Sequence, residues 1–94
     1  MPATTTHRST VHFSGHLQGV GFRYTTHSIA RAYEVTGFVR NTADGRVELV
    51  AEGEPREIKV FLAEVRERFF HQIRDERDDE GPATGEFSGF EIRH

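Results

Sequence analysis

Hydrophobic and polar positions alternate at the start of the chain and then change to a helical period. In residues 8–14, Val11 and Phe13 alternate with polar side chains, which predicts a half-buried strand. Residues 22–33 instead place apolar side chains at helical spacing, with Thr26 filling a gap in the stripe. The pattern therefore predicts a first strand and a first helix, joined by a glycine-rich loop.

The middle of the chain predicts a β-hairpin. Residues 37–40 form a short, mainly apolar strand, and the sequence Asn-Thr-Ala-Asp-Gly at residues 41–45 has strong turn-forming chemistry. After the turn, Val47, Leu49 and Ala51 recur at every second position. We expect the two strands to pair across the turn.

The last part of the chain predicts a second helix and two further strands. Pro55 suits the first helical position. One apolar stripe follows, made by Ile58, Phe61, Leu62, Val65 and Phe69. We expect a short polar edge strand around Ile73, then a solvated acidic loop. Phe90 and Ile92 share one face of a final strand.

This order of elements predicts an α+β fold. Its natural arrangement is a ferredoxin-like split βαβ sandwich, with two helices on one face of a mainly antiparallel, four- to five-stranded sheet. We expect residues 8–94 to form a single domain and the polar residues 1–7 to form a flexible tail. Such a fold hosts enzymes, RNA binders and regulatory modules, so it does not define the function.

Composition and charge narrow the class of protein. The chain has no cysteine, which excludes a disulfide framework and a thiolate metal site. The net charge is −3, and residues 74–80, with two positive and five negative side chains, account for all of it. We therefore expect no nucleic-acid partner and no membrane partner. With neither a signal peptide nor a transmembrane pattern, we expect a cytoplasmic protein. Because 94 residues form one plausible core, a monomer is the simplest expectation.

The glycine-rich loop carries the first candidate chemistry. Gly19 and Gly21 precede the first helix, and Arg23 falls in its first turn. A helix start presents N–H groups without partners, and a cation there opposes the helix dipole. A bound anion such as phosphate would account for both features. The alternative is a tight turn beside a surface arginine, and the spacing matches neither a Walker motif nor a dinucleotide-binding motif.

Asn41 is the second candidate, at the end of the second predicted strand. Asparagine is a favoured turn residue, which is the simpler explanation. Its amide can also donate and accept hydrogen bonds, so it could hold a water molecule, although it cannot act as a general base.

The six histidines do not predict a metal site. His12 and His16 have no third ligand and no supporting carboxylate at a useful spacing, so we expect surface or structural histidines. A protonated His16 could increase the affinity for phosphate. No Ser-His-acid pattern indicates a nucleophilic serine.

Two motifs resemble those of the acylphosphatase family. The family's first motif has the form G-x-V-Q-G-V-x-F-R, and residues 15–23 read GHLQGVGFR, with Leu17 as the one departure. The second motif begins with Gly, an aromatic residue, Val, Arg or Gln, and Asn, and residues 37–53 match it throughout. Residues 87–92 also resemble the family's terminal strand, so the resemblance covers about residues 8–93.

The resemblance implies a metal-independent hydrolase without a cofactor. Its substrate is a small-molecule acyl phosphate, whose carboxyl-phosphate bond is cleaved to a carboxylate and inorganic phosphate. Two catalytic residues are implied: Arg23 binds the phosphoryl group, and Asn41 orients the attacking water. The implied phosphate-binding set is His16, Leu17, Gln18, Gly19, Val20, Gly21 and Arg23.

Two other functions compete with this hypothesis. An acylphosphatase-like module could bind an anion, or regulate a larger protein, without catalysis. An RNA-binding domain has the same general topology, but the third predicted strand lacks the exposed aromatic residues that stack on bases.

Overall fold

The computed structural model describes residues 7–94, which form five strands and two helices. The elements are β1 (His7–Gly15), α1 (Phe22–Ala30), β2 (Thr36–Asn41), β3 (Val47–Gly53), α2 (Pro55–Arg68), β4 (Ile73–Pro82) and β5 (Phe90–Arg93). The strand order across the sheet is β4-β1-β3-β2-β5. All neighbours are antiparallel except β2 and β5. The predicted α+β, ferredoxin-like fold is confirmed.

Both helices pack against one face of the sheet. The predicted stripe of α2 is buried along its whole length, including Phe69 just beyond the helix. The sheet supplies the facing core residues Val11, Phe13, Val39, Val47, Leu49 and Ala51. Each large apolar side chain buried in this way contributes about 1.5–3 kcal/mol, so this layer holds the helices on the sheet. Neither α1 nor α2 is long and apolar enough to cross a membrane.

The first helix is shorter than predicted, because it ends at Ala30 rather than at residue 33. Residues 31–34 form a turn and a bend, in which the amide of Tyr33 donates to the carbonyl of Ala30 at 3.1 Å. Tyr33 still packs on the core, with its ring 6.1 Å from that of Phe61. The apolar periodicity therefore correctly indicated that Tyr33 faces the core, but it did not indicate where the helix ends.

The acidic run at residues 74–80 belongs to a strand, so the prediction of a solvated acidic loop is wrong. β4 is ten residues long and pairs with β1 along its length, placing Asp78 beside Val11 and Glu76 beside Phe13. Main-chain pairing needs no apolar side chain, and charges on an edge strand can reach solvent. The predicted position at a sheet edge is confirmed, since β4 is the outermost strand beside β1.

The boundary of the predicted tail also moves. His7 is the first residue of β1 and lies opposite Gly53 of β3, so the tail of residues 1–7 was predicted one residue too long. Residues 1–6 lie outside the described residues.

Candidate active site

The glycine loop between β1 and α1 adopts a backbone that only glycine tolerates easily. Gly19 and Gly21 have φ angles of 78° and 76°, and no other residue type in the described chain has a positive φ. Gly21 is the N-cap of α1, and its missing side chain leaves the helix start without a side-chain cap. The loop therefore keeps the start of α1 open.

The backbone amides of this loop are suited to binding an anion. Within residues 7–94, no acceptor forms a well-directed hydrogen bond with the amides of residues 17–22. The first turn of α1 also contains no acidic side chain to satisfy the dipole. Consecutive free amides around left-handed glycines form concave sites suited to anions, and phosphate is a common ligand of such sites.

The start of the loop is held in place by the turn that follows α2. A β-carbon on Gly15 would lie only 2.1 Å from the carbonyl oxygen of Gln72, so no other residue fits there without displacing the backbone. The next amide, that of His16, donates to the same oxygen at 2.8 Å. His16 therefore anchors the loop, and its amide is occupied by the protein itself.

Arg23 is the second residue of α1 and reaches toward the end of the chain. Its Nη1 donates to the carbonyl of Arg93 at 3.3 Å and lies 3.1 Å from Nδ1 of His94. Among the described residues, no carboxylate lies within ion-pairing distance of Arg23. A cation at the wrong end of a helix, without a carboxylate, is electrostatically suited to receive an anion.

Asn41 meets the loop across the fold. It is the last residue of β2, and its Nδ2 donates to Oε1 of Gln18 at 3.1 Å. This contact joins the end of the second strand to the loop before α1, and thus connects the two sequence motifs.

These groups line one open cleft of about 250 Å³. Its lining residues are Leu17, Gln18, Gly19, Gly21, Phe22, Arg23, Tyr24 and Asn41. Both predicted catalytic residues thus face the same space as most of the predicted phosphate-binding loop. His16 and Val20 do not line it.

Sequence reasoning missed Tyr24 as a cleft residue. Tyr24 follows Arg23 directly, and a side chain on the first helical turn beside a ligand loop was a signal that could have identified it. The contacts of Arg93 and His94 with Arg23 carried no local signal, since 70 and 71 positions separate the partners.

The histidine prediction needs one correction. His12 does have a carboxylate partner, because the β1–β3 register places it opposite Glu48, and its Nε2 lies 3.0 Å from Oε2 of that residue. Glu48 also accepts from Nε of Arg40 at 2.7 Å. This ion-pair cluster lies on the sheet and does not line the cleft. Across residues 7–94, no three His, Asp or Glu side chains gather as a metal site would require.

Fold and cleft together define a small ferredoxin-like α+β protein with an open glycine-loop site at the start of its first helix. The acylphosphatase family model matches residues 9–92. An acylphosphatase from Marinobacter nauticus is 45% identical over 82 residues, covering 86% of this chain and 89% of that protein. The chain belongs to the acylphosphatase family.

Solved structures agree with this assignment. The crystal structure of acylphosphatase from Bacillus subtilis aligns with a TM-score of 0.83 and 28% identity, over 94% of this chain and 99% of that one. The structure of full-length HypF in the phosphate- and nucleotide-bound form aligns with a TM-score of 0.78 and 26% identity. That alignment covers all of this chain but only 12% of HypF, so the same fold also occurs within a much longer protein.

Proposed function

We propose that this protein hydrolyses acyl phosphates to a carboxylate and inorganic phosphate. The observation that carries the proposal is the convergence of Arg23 and Asn41 on one cleft, beside a loop whose amides have no well-directed acceptor within residues 7–94. The membership of the chain in the acylphosphatase family supports the same reaction.

The phosphoryl group would bind at the start of α1. The amides of residues 17–21 have no well-directed acceptor within residues 7–94, and the helix dipole favours a negative charge at this position. Arg23 would bind two phosphoryl oxygens through its planar guanidinium group. The amide of His16 already donates a hydrogen bond to the carbonyl of Gln72. We therefore propose that the phosphate-binding amides begin after His16.

Asn41 would orient the water that attacks phosphorus. An amide can accept a hydrogen bond from water and donate one to a phosphoryl oxygen, and its contact with Gln18 holds it beside the loop. The water oxygen forms a bond to phosphorus while the bond between phosphorus and the acyl oxygen breaks. The carboxylate leaves with the electron pair, and the proton of the water passes to a phosphate oxygen.

This reaction needs little beyond positioning and charge stabilisation. A carboxylate is a good leaving group, and phosphoryl transfer depends chiefly on alignment and on neutralising the equatorial oxygens. We therefore propose a mechanism without a metal ion or cofactor, and a cytoplasmic monomer without nucleic-acid or membrane partners.

The second candidate is an anion-binding module that does not catalyse hydrolysis. The alignment with one small part of HypF favours it, because there the same fold is a component of a larger protein. The two candidates differ in the role of Asn41. Hydrolysis requires it to orient the attacking water, whereas the loop and Arg23 alone can hold an anion.

Hydrolysis of acetyl phosphate by the purified protein, measured in a chelator, tests the proposal. We expect Arg23→Ala to lose both phosphate binding and turnover, because it removes the only cation that lines the described cleft. We expect Asn41→Ala to retain phosphate affinity while turnover falls by about 10²-fold, as for other preorganised hydrogen-bonding groups.

Arg31→Ala, at the far end of α1, is the matched control and should keep full activity. Phosphate binding by the unaltered protein without any hydrolysis would favour the non-catalytic module. Activity that disappears in chelator and returns with a divalent ion would overturn the metal-free mechanism.

A further inference from the structure

The cleft contains an exposed aromatic ring that the proposed mechanism does not use. Tyr24, the third residue of α1, lines the cleft beside Arg23, yet 67% of its surface is exposed. Its hydroxyl makes no hydrogen bond to any residue between 7 and 94, and its ring stacks on no other aromatic residue there. The fold therefore gains little from this side chain.

Other apolar residues of the cleft are unavailable to a ligand. Leu17 and Phe22 are only 3% and 2% exposed, because both belong to the hydrophobic core beneath the loop. Val20 is exposed but does not line the cleft. Among the described residues, Tyr24 is thus the only large apolar surface that a bound molecule can reach from this cleft.

An acyl phosphate has two chemically different halves. The phosphoryl half is matched by the loop amides and Arg23, which are all polar. The acyl half is partly apolar, so it would be stabilised by an apolar contact outside the loop amides and Arg23.

We infer that Tyr24 is a specificity-determining residue whose ring packs against the acyl group, so that the protein prefers acyl phosphates with an aromatic or large apolar acyl group. This inference rests on the proposed hydrolase function. An aromatic acyl group can stack on the phenol ring, whereas the methyl group of acetyl phosphate offers it little area.

The test compares kcat/KM for benzoyl phosphate and acetyl phosphate. We expect the unaltered protein to prefer benzoyl phosphate, and we expect Tyr24→Ala to lower the ratio of the two values by about 3- to 10-fold, the range of one aromatic contact. Tyr24→Phe should keep the ratio, since the ring and not the hydroxyl makes the contact.

Phe70→Ala is the matched control. Phe70 is the most exposed large apolar side chain of the described residues, at 73%, and it does not line the cleft, so its removal should leave the ratio unchanged. Because Tyr24 is exposed, its variants should fold, and thermal denaturation checks this.

The possible outcomes separate the two proposals. If the protein hydrolyses both substrates but Tyr24→Ala leaves the ratio unchanged, or lowers both values equally, the role of Tyr24 is refuted and the hydrolase remains. If neither substrate is hydrolysed, the proposed function fails, and the inference fails with it. A ratio that falls equally in Tyr24→Phe would also overturn the stacking contact.

Discussion

Single residues in α1 show that this helix is not built for stability alone. Its first turn holds Arg23 against the dipole, its cap is a glycine, and its core face contains Thr26. Thr26 is 0% exposed, and its Oγ1 has no hydrogen-bond partner among the described residues. A buried hydroxyl without a partner costs about 1–3 kcal/mol in desolvation.

Thr26→Val tests the energetic cost of this hydroxyl. Valine has nearly the same shape and removes only the unpaired polar group, so we expect the free energy of unfolding to increase by about 1 kcal/mol. Urea denaturation at pH 7 measures the change. A loss of stability would instead show that the Thr26 hydroxyl is hydrogen-bonded in the folded protein.

The element with the most unusual chemistry is β4, a strand composed mainly of charged residues. Its side chains facing the helices are tied to α2, since Arg66 donates from Nη2 to Glu76 at 2.8 Å and to Asp78 at 3.0 Å. Burial and the neighbouring Glu76 carboxylate raise the pKa of Asp78 from 3.8 to about 6, although Arg66 acts in the opposite direction. Arg66 therefore pairs with two carboxylates, and its positive charge does not fully offset the burial of Asp78 and the repulsion from Glu76.

The raised pKa of Asp78 predicts a pH dependence of stability. The folded state favours the protonated carboxyl, so its contribution is complete below about pH 4 and is lost as the pH rises through about 6. Asp78→Asn should make the stability flatter between pH 4 and 7, by less than about 1 kcal/mol because the site is partly exposed.

Urea denaturation across this pH range checks the prediction, with Asp79→Asn on the exposed side of the same strand as the control. If the Asp78 and Asp79 variants show the same pH profile as the unaltered protein, the pKa of Asp78 is ordinary.

At the scale of the whole molecule, one buried carboxylate joins three distant parts of the chain. Glu52 of β3 is 0% exposed and accepts hydrogen bonds from Nε of Arg8 at 2.7 Å, from the amide of Thr84 at 2.9 Å and from the amide of Gly85 at 3.0 Å. Burial alone would raise its pKa, but the hydrogen bonds from Thr84, Arg8 and Gly85 outweigh burial and lower it. The segment that links β4 to β5 is therefore fastened to the centre of the sheet.

Glu52→Gln should be strongly destabilising, because it leaves the buried donors with a weaker acceptor and removes the negative charge that pairs with Arg8. We expect a loss of about 2–3 kcal/mol in the free energy of unfolding at pH 7. The lowered pKa also predicts how stability depends on pH. The stabilisation from Glu52 is present above about pH 4.5 and is lost as the pH falls through the folded-state pKa. The variant should therefore lose less stability than the unaltered protein on acidification.

Glu86→Gln provides the comparison for Glu52. Glu86 accepts from the same arginine at 2.9 Å, but its side chain is 57% exposed, so we expect a loss below about 1 kcal/mol. Equal losses in the two variants would show that burial of Glu52 is not decisive.

Much of the fold and of the candidate site was predictable from local sequence. The stripe from Ile58 to Phe69, the hairpin around residues 41–45 and the alternation in β1 depend on neighbours a few positions apart, and the structure confirms them. The open helix start also followed from local chemistry, since only the absence of a capping side chain and the position of Arg23 were needed. The roles of Arg23 and Asn41 remain predictions.

What sequence alone determined, then, was the type and order of the elements and the residues offered at the start of α1. Tertiary structure decided which groups meet: Gln18 with Asn41, His12 with Glu48, and the amide of His16 with Gln72. It also decided that a charged segment would be a ten-residue strand, through pairing with β1. Propensity and periodicity act over a few residues and leave a local pattern, whereas register and contacts between distant segments depend on how the whole chain packs.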